Sequence, residues 1–429
     1  MPSNKRPVIL ILGGGFGGAY CAQALEKRLK NRCDIILIDR NNYFIFYPLL
    51  IEAGTGDLEP RHAVISIRQF LKHTQFQMGE IKKINLPDKK VQIEIIQNGM
   101  IKTFDYDHLV LALGSVTNLP DIKGLQEHGF EMKSLLDAVA LRDRAIQLME
   151  LADAAQNAEE RQALLHFVVV GANFTGVEVA GQFDEFLKKA SHAYSNVKEK
   201  DCKVTLLERS DRILNVLDKD LSHFASKRLD KRGINVVLNT TVSQISPDHV
   251  ILTNKEKILS HTVVWCAGIA PNPLLSKIDV ALDQRGYILC ENDLRVKGRN
   301  DIWAIGDTAV NTDTQGKPYP ATAQHAVKEA KALATNIQKV LNSQPTKPCD
   351  LKTQGTLAAL GCRTAVAKVF GIKLSGFWAW FLWRTVYLSK MPGWSRRLRI
   401  TLDWTMDLLF NRDYVQLGVH QVRKNSHKE

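Results

Sequence analysis

Three glycines near the start of the chain have the spacing of a turn that binds phosphate. Gly13, Gly15 and Gly18 form the pattern G-x-G-x-x-G directly after the apolar run Val8–Leu12, and Asp39 follows 21 residues after the last glycine. The first glycine permits a tight turn, the second leaves room for a pyrophosphate, and the third lets a helix pack closely on the strand. A carboxylate at that distance can accept hydrogen bonds from ribose hydroxyls. These residues predict a dinucleotide-binding site.

A second, imperfect copy of the pattern lies in the middle of the chain. Gly171 and Gly176 follow the apolar run 167–170, but Asn173 takes the position of the middle glycine. Asn tolerates positive φ better than most residues, yet its side chain would crowd a phosphate. Glu208 ends the next apolar run 32 residues after Gly176, so we expect an extended helix or exit loop. The pattern favours a second dinucleotide site; the alternative is a structural unit that has lost its ligand.

Two dinucleotide sites in one chain indicate redox chemistry, with a flavin in one site and a nicotinamide cofactor in the other. Glu208 favours NADH over NADPH because a carboxylate repels a 2′-phosphate, although the adjacent Arg209 weakens this preference. The seven scattered cysteines include no C-x-x-C pair, and the twelve histidines show no metal-ligand spacing. We therefore expect no redox-active cysteine pair, no disulfide framework and no metal site.

The elements that position these residues follow from the hydrophobic pattern. Continuous apolar runs predict strands buried on both faces, with helical segments between them. The first copy gives strands 8–12 and 34–38 around a helix over 19–30, and the second gives strands 167–170 and 204–207 around a helix over 177–189. Three further apolar runs are expected to be closing strands of the same sheets: 109–115, 263–270 and 302–307. The predicted fold class is α/β, with two Rossmann-like dinucleotide-binding domains.

Length and composition are those of a multidomain globular protein. The 429 residues are 45% apolar and 24% charged, which excludes disordered, collagen-like and small disulfide-rich proteins. The formal net charge of +12 indicates an anionic partner or surface. Two thirds of this charge comes from residues 361–429, which hold twelve Lys and Arg residues against four acids, and also five of the seven Trp.

The C-terminal segment predicts two short amphipathic helices, over 376–389 and over 395–410 with Ser395 as the cap. On the second helix an apolar face and a charged face can be separated: Leu398, Leu402, Met406 and Leu409 against Arg396, Arg399, Asp403 and Asp407. Dense Trp with interleaved Arg is typical of a helix that lies in a membrane interface. A packed core and a dimer interface are the alternatives; no motif supports nucleic-acid binding. No run reaches about 18 apolar residues, so we expect no conventional transmembrane helix.

Six segments together resemble the two-dinucleotide flavoprotein reductases and, within them, the type II NADH:quinone oxidoreductases. They are GGGFGG at 13–18, FYPLLIEAGTGDLEPRH at 46–62, GANFTGVEVAG at 171–181, IWAIGDTA at 302–309, ATAQHAVKEA at 321–330, and the stretch from LGCRTAVAKVFGI to LDWTMDLLF at 360–410. The resemblance implies a FAD-dependent enzyme that passes two electrons from NADH to a membrane quinone. It further implies ping-pong hydride transfer without proton pumping.

The resemblance also assigns residues. It implies that Glu178, Gln324 and Lys328 are catalytic, with Glu178 considered for proton transfer; Lys328 stands where the family has a second Gln in its quinone signature A-Q-x-A-x-Q. It implies that the cofactors are bound by Gly13, Gly15, Phe16, Gly18, Asp39, Arg40, Gly114, Gly171, Asn173, Gly176, Glu178, Glu208, Gly268, Gly306, Asp307, Ala323 and Gln324. Asp307 would bind the ribityl-phosphate side of FAD. Lys328 could bond a quinone carbonyl or indicate a different acceptor.

The family also implies a domain plan and a location. We expect a discontinuous FAD domain over 1–120 and 281–360, an NADH domain over 121–280, and a C-terminal membrane-anchoring region of amphipathic helices over 361–429. Residues 376–410 would contact an anionic membrane surface, and the chain would form a homodimer. No mitochondrial presequence is evident, so the expected location is peripheral, on the cytoplasmic side of a bacterial inner membrane.

Two rival functions stay open at this stage. A sulfide:quinone oxidoreductase shares the fold, but its chemistry needs two cysteines beside the flavin. Cys362 lies in a plausible region, yet no cysteine occurs between Cys33 and Cys202 to partner it. A redox-sensing flavoprotein at the membrane is the second rival, kept open by Asn173 and Lys328.

Overall fold

The computed structural model describes residues 6–410 and 412–418. The chain divides into two compact units, each assembled from three separate segments. The first unit comprises Met1–Ile45, Val64–Val116 and Ile269–Thr353, and the second comprises Phe46–Ala63, Thr117–Gly268 and Gln354–Glu429. Four charged residues of the basic C-terminal segment lie outside the described residues: Arg423, Lys424, Lys428 and Glu429.

The α-helices of the described residues are α1 (Phe16–Leu29), α2 (Leu50–Thr55), α3 (Ile67–Phe70), α4 (Leu125–His128), α5 (Leu135–Ala154), α6 (Ala158–Leu164), α7 (Phe174–Ser191), α8 (Lys219–Asp230), α9 (Ala323–Leu341), α10 (Phe377–Lys390) and α11 (Trp394–Leu409). The strands begin with β1 (Val8–Leu12), β2 (Asp34–Asp39), β3 (Tyr43–Ile45), β4 (Val64–Ser66), β5 (Gln75–Met78), β6 (Glu80–Asn85), β7 (Lys90–Ile95), β8 (Met100–Asp105), β9 (His108–Leu111), β10 (Ser115–Thr117), β11 (Gly129–Phe130), β12 (His166–Val170) and β13 (Lys203–Leu207). They continue with β14 (Asn235–Val237), β15 (Val242–Ile245), β16 (His249–Leu252), β17 (Lys257–Leu259), β18 (Thr262–Trp265), β19 (Ile269–Pro271), β20 (Ile288–Leu289), β21 (Ile302–Ala304), β22 (Ala309–Val310), β23 (Gly355–Gly361), β24 (Thr364–Val369) and β25 (Ile372–Gly376).

A five-stranded parallel sheet forms the centre of the first unit, in the order β21-β9-β1-β2-β5. Its central strand β1 is apolar on both faces because α1 packs against it and because Leu10 and Leu12 share a buried cluster with Val91 and Ile93 of the antiparallel sheet β6-β7-β8. Residues 9–12 of β1 are fully buried. Helix α1 packs along α9. Since all five strands run in one direction, their carboxyl ends meet at one edge, which is where ligands bind in open α/β sheets.

The second unit repeats this architecture. Its parallel sheet has the order β11-β18-β12-β13-β14, and α7 connects β12 to β13. The helix runs to Ser191 and a loop follows as far as Lys203, which explains the long spacing between Gly176 and Glu208. The same unit contains the antiparallel sheet β23-β24-β25, with α7 packed against β23 and α10 against β24. The predicted α/β fold with two Rossmann-like sheets is confirmed.

The three predicted closing strands end earlier than expected. The strands stop at residues 111, 265 and 304. Each strand is followed by a glycine with a positive φ, a conformation that a β-strand does not contain: Gly114 (+66°), Gly268 (+96°) and Gly306 (+67°). The expectation of continuous strands was wrong because a glycine turn interrupts each apolar run.

The C-terminal helices also differ in detail from the prediction. Helix α11 begins at Trp394, its N-cap is Gly393 with φ +85°, and no side chain caps it, so the assignment of Ser395 as the cap was wrong. A small-residue contact packs α10 onto β24: Ala365, Ala367 and Ala379 are fully buried together. None of the helices in the described part of the chain is long and apolar enough to cross a membrane.

Candidate functional site

The first glycine turn follows β1 and is built for a close backbone approach. Gly13 has φ +99°, and a Cβ on Gly18 would stand 1.8 Å from the Gly13 carbonyl oxygen, so neither position admits another residue. A Cβ on Gly15 would meet no atom of the described residues within 4 Å. The open space beside Gly15, at the N-terminus of α1, fits a pyrophosphate because free backbone N–H groups and the helix dipole point there. Phe16 opens α1 and packs against Phe44.

Asp39 ends β2 beside this turn and is fixed by two backbone groups. Its Oδ2 accepts a hydrogen bond from Gly14 N at 2.6 Å, and its Oδ1 accepts one from Asn41 N at 2.7 Å. Burial raises the pKa of Asp39, while these two N–H groups and the charge of the exposed Arg40 act to lower it. Each oxygen keeps a lone pair for further donors, as contact with a ribose requires.

The turns after β9 and β21 lie at the same edge of the first sheet and are hydrogen-bonded to each other. Gly114 N donates to Thr308 Oγ1 at 2.7 Å, and Ser115 Oγ donates to Asp307 Oδ2 at 3.0 Å. Asp307 is therefore held at the carboxyl ends of β9 and β21, at the same sheet edge as the turn after β1. This placement fits contact with the ribityl-phosphate side of a flavin dinucleotide.

Sequence reasoning missed the buried carboxylate that supports this turn. Glu329 on α9 is 3% exposed, and its Oε2 accepts hydrogen bonds from Gly306 N at 2.6 Å and from Asn311 Nδ2 at 3.1 Å. Burial raises the pKa of Glu329, and the charge of Asp307 adds to the rise. A glutamate inside a helical apolar stripe was the available signal, since acids are seldom fully buried without partners.

The second glycine turn reproduces the first closely. Gly171 has φ +96°, and a Cβ on Gly176 would stand 1.8 Å from the Gly171 carbonyl oxygen. Asn173 has φ −74°, so the argument from its tolerance of positive φ was wrong; Gly15 has φ −72° at the equivalent position. The Asn173 side chain is folded back, accepting from Gly176 N at 3.1 Å and donating to the Cys266 carbonyl at 2.6 Å.

Glu208 repeats the arrangement of Asp39. Its Oε2 accepts a hydrogen bond from Ala172 N at 2.7 Å, and its Oε1 accepts one from Ser210 N at 2.8 Å. Arg209 between them is exposed. Gly268, at the carboxyl end of the neighbouring strand β18, accepts from Asn118 N at 3.1 Å. The structure thus brings the predicted residues of the second turn together at one sheet edge, where they fit a second dinucleotide.

Glu178 is the fifth residue of α7, and its carboxyl group is turned toward the C-terminal sheet. It is partly buried, and its Oε1 accepts a hydrogen bond from Ala359 N at 3.0 Å. Burial raises the pKa of Glu178 to about 8, and the nearby charge of Glu52 adds to the rise. A carboxyl group with such a pKa can hold and release a proton near neutral pH.

Glu52 on α2 is a second buried acid that sequence reasoning left without a role. It is 3% exposed, accepts a hydrogen bond from Trp404 Nε1 at 2.8 Å, and lies 3.9 Å from Arg384 Nη2. The Arg384 guanidinium stands 4.5 Å from the Trp380 ring centroid and 4.4 Å from that of Trp404. The run Pro48–Leu49–Leu50–Ile51 before Glu52 was the signal, because it predicts burial for the acid that follows.

The predicted quinone signature occupies the first turns of α9. Ala323 and Gln324 are partly buried there, and the Lys328 ammonium donates to the Lys352 carbonyl. His325, which had no predicted role, is buried between Thr322 Oγ1 at 2.7 Å and Thr353 Oγ1 at 3.1 Å. Burial lowers the pKa of His325, with the charge of Lys328 in the same direction.

The C-terminal helices expose a continuous set of large apolar side chains. Large apolar residues of α10 and α11 that are between 51% and 79% exposed form a surface that we call the apolar outer face. Its residues are Phe377, Trp378, Phe381, Trp394, Leu398, Leu402, Met406 and Leu409. On the predicted charged face of α11 the two acids are turned inward, since Asp403 pairs with His62 and Asp407 with Arg412, whereas Arg399 is exposed. Trp383 and Trp404 are buried, so the packed-core alternative applies to them, and the membrane-interface prediction is left to the exposed Trp378 and Trp394.

Comparison with known proteins matches almost the whole chain. Residues 7–330 match the family model described as pyridine nucleotide-disulphide oxidoreductase, and residues 353–413 match the NDH2 C-terminal domain. The chain is similar to a probable NADH dehydrogenase of Dictyostelium discoideum, at 31% identity over 94% of this chain and 90% of the relative. It is similar to the type II NADH:quinone oxidoreductase NdhA of Mycobacterium tuberculosis, at 30% identity over 94% of this chain and 87% of the relative. The solved structure of NDH2 from Plasmodium falciparum in complex with NADH has the same fold, with a TM-score of 0.87 and 23% identity over 96% of this chain and all of the other.

Proposed function

This chain belongs to the type II NADH:quinone oxidoreductase family, and we propose that it uses FAD to pass two electrons from NADH to a membrane quinone. The observation that carries the proposal is the pair of glycine turns, each with its own carboxylate, on a chain that is 30% identical to a type II NADH:quinone oxidoreductase. One turn fits the flavin dinucleotide and the other fits NADH.

FAD is assigned to the first unit and NADH to the second. Gly13, Gly15, Gly18 and Asp39 would bind the adenosine half of FAD, with Asp307 on the ribityl-phosphate side; Phe16, Arg40, Gly114 and Gly306 line these turns. Gly171, Asn173, Gly176, Glu208 and Gly268 would bind NADH. Glu208 supports NADH over NADPH because both of its oxygens are fixed by backbone N–H groups and stay directed at the ribose site. We also propose the domain limits: a discontinuous FAD domain over 1–120 and 281–360, an NADH domain over 121–280, and a C-terminal membrane-anchoring region over 361–429.

Bound FAD supplies the redox chemistry, accepting hydride from NADH and delivering two electrons to the quinone. The residues of the chain position the substrates: fixed glycine turns hold the dinucleotides in register, which is the main catalytic task in hydride transfer. Glu178 would hold the proton that quinone reduction requires. Ala323, Gln324 and Lys328 would line the quinone site from α9. We propose that NAD⁺ leaves before the quinone reacts, a ping-pong sequence, and that no proton is pumped.

The apolar outer face supports attachment to a membrane. Large apolar side chains that stay exposed on two adjoining helices mark an interaction surface. Arg396, Arg397 and Arg399 on α11 add positive charge, each contributing about 1 kcal/mol near an anionic leaflet. We propose peripheral attachment through residues 376–410 on the cytoplasmic side of a bacterial inner membrane, and a homodimer as the working oligomer.

A sulfide:quinone oxidoreductase is less well supported. Of the seven cysteines, all of which lie within the described residues, six are buried and only Cys362 is exposed. That chemistry needs a pair of accessible cysteines, and the relatives that share about 30% identity carry NADH dehydrogenase names.

Steady-state kinetics with purified holoenzyme test the proposed function. NADH and a short-chain ubiquinone are varied together while NADH absorbance is followed, with sulfide and NADPH as alternative donors. We expect NADH-dependent quinone reduction and parallel double-reciprocal lines, as a ping-pong sequence requires. Turnover with sulfide but not with NADH would contradict the donor assignment, and intersecting lines would contradict the ping-pong sequence.

A further inference from the structure

A buried charge cluster joins the C-terminal helices to α2 within the second unit. Its centre is Glu52, which is 3% exposed and accepts the Trp404 indole N–H at 2.8 Å. Arg384 approaches the other carboxylate oxygen to 3.9 Å and is enclosed by the rings of Trp380 and Trp404. An arginine fixed between two indole rings cannot swing away from Glu52. The cluster therefore supplies a fixed positive charge and a fixed N–H donor to a buried acid.

Glu178 lies next to this cluster but has poorer partners. Its helix, α7, packs against α2, and the Glu52 charge acts on it. The carboxyl of Glu178 accepts the backbone N–H of Ala359, and the Trp383 indole N–H acts on it in the same direction, but the charge that acts on it is the negative one of Glu52. Two carboxyl groups in one desolvated space cannot both ionise easily, so their surroundings decide which one carries the charge. Burial raises the pKa of Glu52 too, and the Arg384 guanidinium and the Trp404 indole N–H act to lower it. Since Glu178 has an indole donor of its own in Trp383, the guanidinium is the group that selects Glu52 for the charge and leaves the proton on Glu178.

We propose that Glu52 is a positioning residue for quinone reduction, because its carboxylate, fixed by Arg384 and Trp404, keeps Glu178 protonated as the proton donor. This inference rests on the proposed function and names how its proton is held. The quinone gains two electrons from NADH, the O–H bond of Glu178 breaks, and a new O–H bond forms on a quinone oxygen. The hydride of NADH supplies both electrons and, in balance, the other proton of the quinol, and one proton from water restores Glu178, so NADH, H⁺ and quinone give NAD⁺ and quinol.

Other ionisable groups act on Glu52 and Glu178. Arg412 and Asp407 act on Glu52 with opposite signs, and Tyr387 on α10 faces Glu178. Burial and the Glu178 charge raise the pKa of Tyr387 above its ordinary value, so this phenol stays neutral at the pH values considered. Glu178 is therefore the group of this set that exchanges a proton near neutrality.

The test is the pH profile of quinone reduction by holoenzyme carrying Glu52→Gln, with short-chain ubiquinone as the acceptor. In the unaltered enzyme we expect kcat to fall as pH rises through about 8, where Glu178 loses its proton. Removing the Glu52 charge lets Glu178 ionise more easily, so the fall begins at lower pH. We expect kcat at pH 8 to drop about 3- to 10-fold relative to the unaltered enzyme, and kcat at pH 6 to stay within about twofold.

Three further variants separate this role from a structural one. Trp404→Phe removes one donor to Glu52 and should move the profile in the same direction by less. In a Glu178→Gln background, Glu52→Gln should leave the profile unchanged, because the responding group is gone. Asp201→Asn is the matched control: Asp201 is a buried acid of the same unit that accepts only local N–H donors, such as Lys198 N at 2.9 Å, and its loss should leave the profile in place.

The outcomes are distinct. A uniform loss of kcat at every pH in Glu52→Gln, or an unchanged midpoint in both Glu52→Gln and Trp404→Phe, overturns the inference while the proposed function stands. Absence of NADH:quinone turnover in the unaltered holoenzyme overturns the proposed function itself. A midpoint that moves to lower pH in Glu52→Gln but not in the Asp201→Asn control supports the inference.

Discussion

Asp39 and Glu208 occupy equivalent positions in the two units, and their carboxylates are fixed in the same way. Each carboxylate accepts one N–H from the residue after the first glycine of its turn. It accepts a second N–H from the residue two places after the acid itself. The spacing of Asp39 from its glycines was predictable because it is set by one strand–helix–strand unit. The Asn173 conformation was not, since it depends on the Cys266 carbonyl, 93 residues away.

A substitution at Gly15 should weaken cofactor binding without impairing folding. Its φ of −72° suits any residue, and a Cβ there would meet no described protein atom within 4 Å. The Gly15→Ala apoprotein should therefore have a free energy of unfolding within about 1 kcal/mol of that of the unaltered apoprotein. We expect FAD content after purification to fall well below one per chain, because the Cβ enters the space assigned to the pyrophosphate. Flavin absorbance and apoprotein unfolding measure the two effects. Full FAD retention would contradict the assignment of this space.

Glu178 should lower stability at neutral pH because its pKa is raised to about 8 in the folded chain from an ordinary 4.5. Below pH 4.5 both states hold the proton; between about 4.5 and 8 only the folded state does, so the penalty grows with pH. Glu178→Gln should therefore raise the free energy of unfolding by about 3 kcal/mol at pH 7 and by much less at pH 5. Thermal unfolding at the two pH values measures the difference, and an equal effect at both would contradict it.

Helix α11 is amphipathic, and its two acids face the protein while its large apolar residues are exposed. The heptad-like spacing of its apolar residues was predictable, but the direction in which they point was not. Asp403 and Asp407 are drawn inward by His62 and Arg412, which lie at distant or later positions in the chain. Glu52 and Trp404, 352 residues apart, show the same limit, because no local pattern links them.

The apolar outer face should bind membranes directly. Trp378 and Trp394 are 70% and 79% exposed, and loss of both in Trp378→Ser/Trp394→Ser should weaken binding to phosphatidylglycerol-containing vesicles by at least about tenfold. The double variant Leu136→Ser/Leu151→Ser is the matched control, since both leucines are exposed on α5 outside this face. Co-sedimentation at low and high salt reads out both the apolar and the electrostatic contribution. Equal binding by both double variants would contradict membrane attachment through this face.

Arg412 ties the chain after α11 to the second unit. It is 5% exposed and pairs with Asp57, with Asp407 at 2.8 Å, and with Glu185 at 3.8 Å; burial lowers the pKa of Arg412 to about 10. Arg412→Gln leaves buried carboxylates without their cation, so we expect a loss of about 3 kcal/mol in the free energy of unfolding.

The exposed Arg399 provides the comparison for that loss. Arg399→Gln should change the free energy of unfolding by no more than about 0.5 kcal/mol. Chemical denaturation of both variants at low salt measures the difference. Similar values for the two would show that the buried ion pairs do not anchor α11.

For the whole molecule, the two parallel sheets were predictable from sequence because each dinucleotide unit is local and strongly patterned. The division of the chain was harder to predict, since residues 46–63 join the same unit as 117–268 and 354–429. The buried acids Glu52 and Glu329 required the structure, because their partners come from separate segments. The net charge of +12, concentrated toward the C-terminus, agrees with a protein that works at an anionic surface.

Anaerobic bleaching of the flavin absorbance near 450 nm by NADH, followed by addition of a short-chain ubiquinone, tests directly whether electrons pass from NADH to a quinone. We predict complete bleaching by NADH and rapid recovery on addition of the quinone, because we propose that the two glycine turns bind FAD and NADH for electron transfer to that acceptor. Bleaching by NADH without recovery by quinone would contradict the acceptor, and absence of bleaching by NADH would contradict the account as a whole.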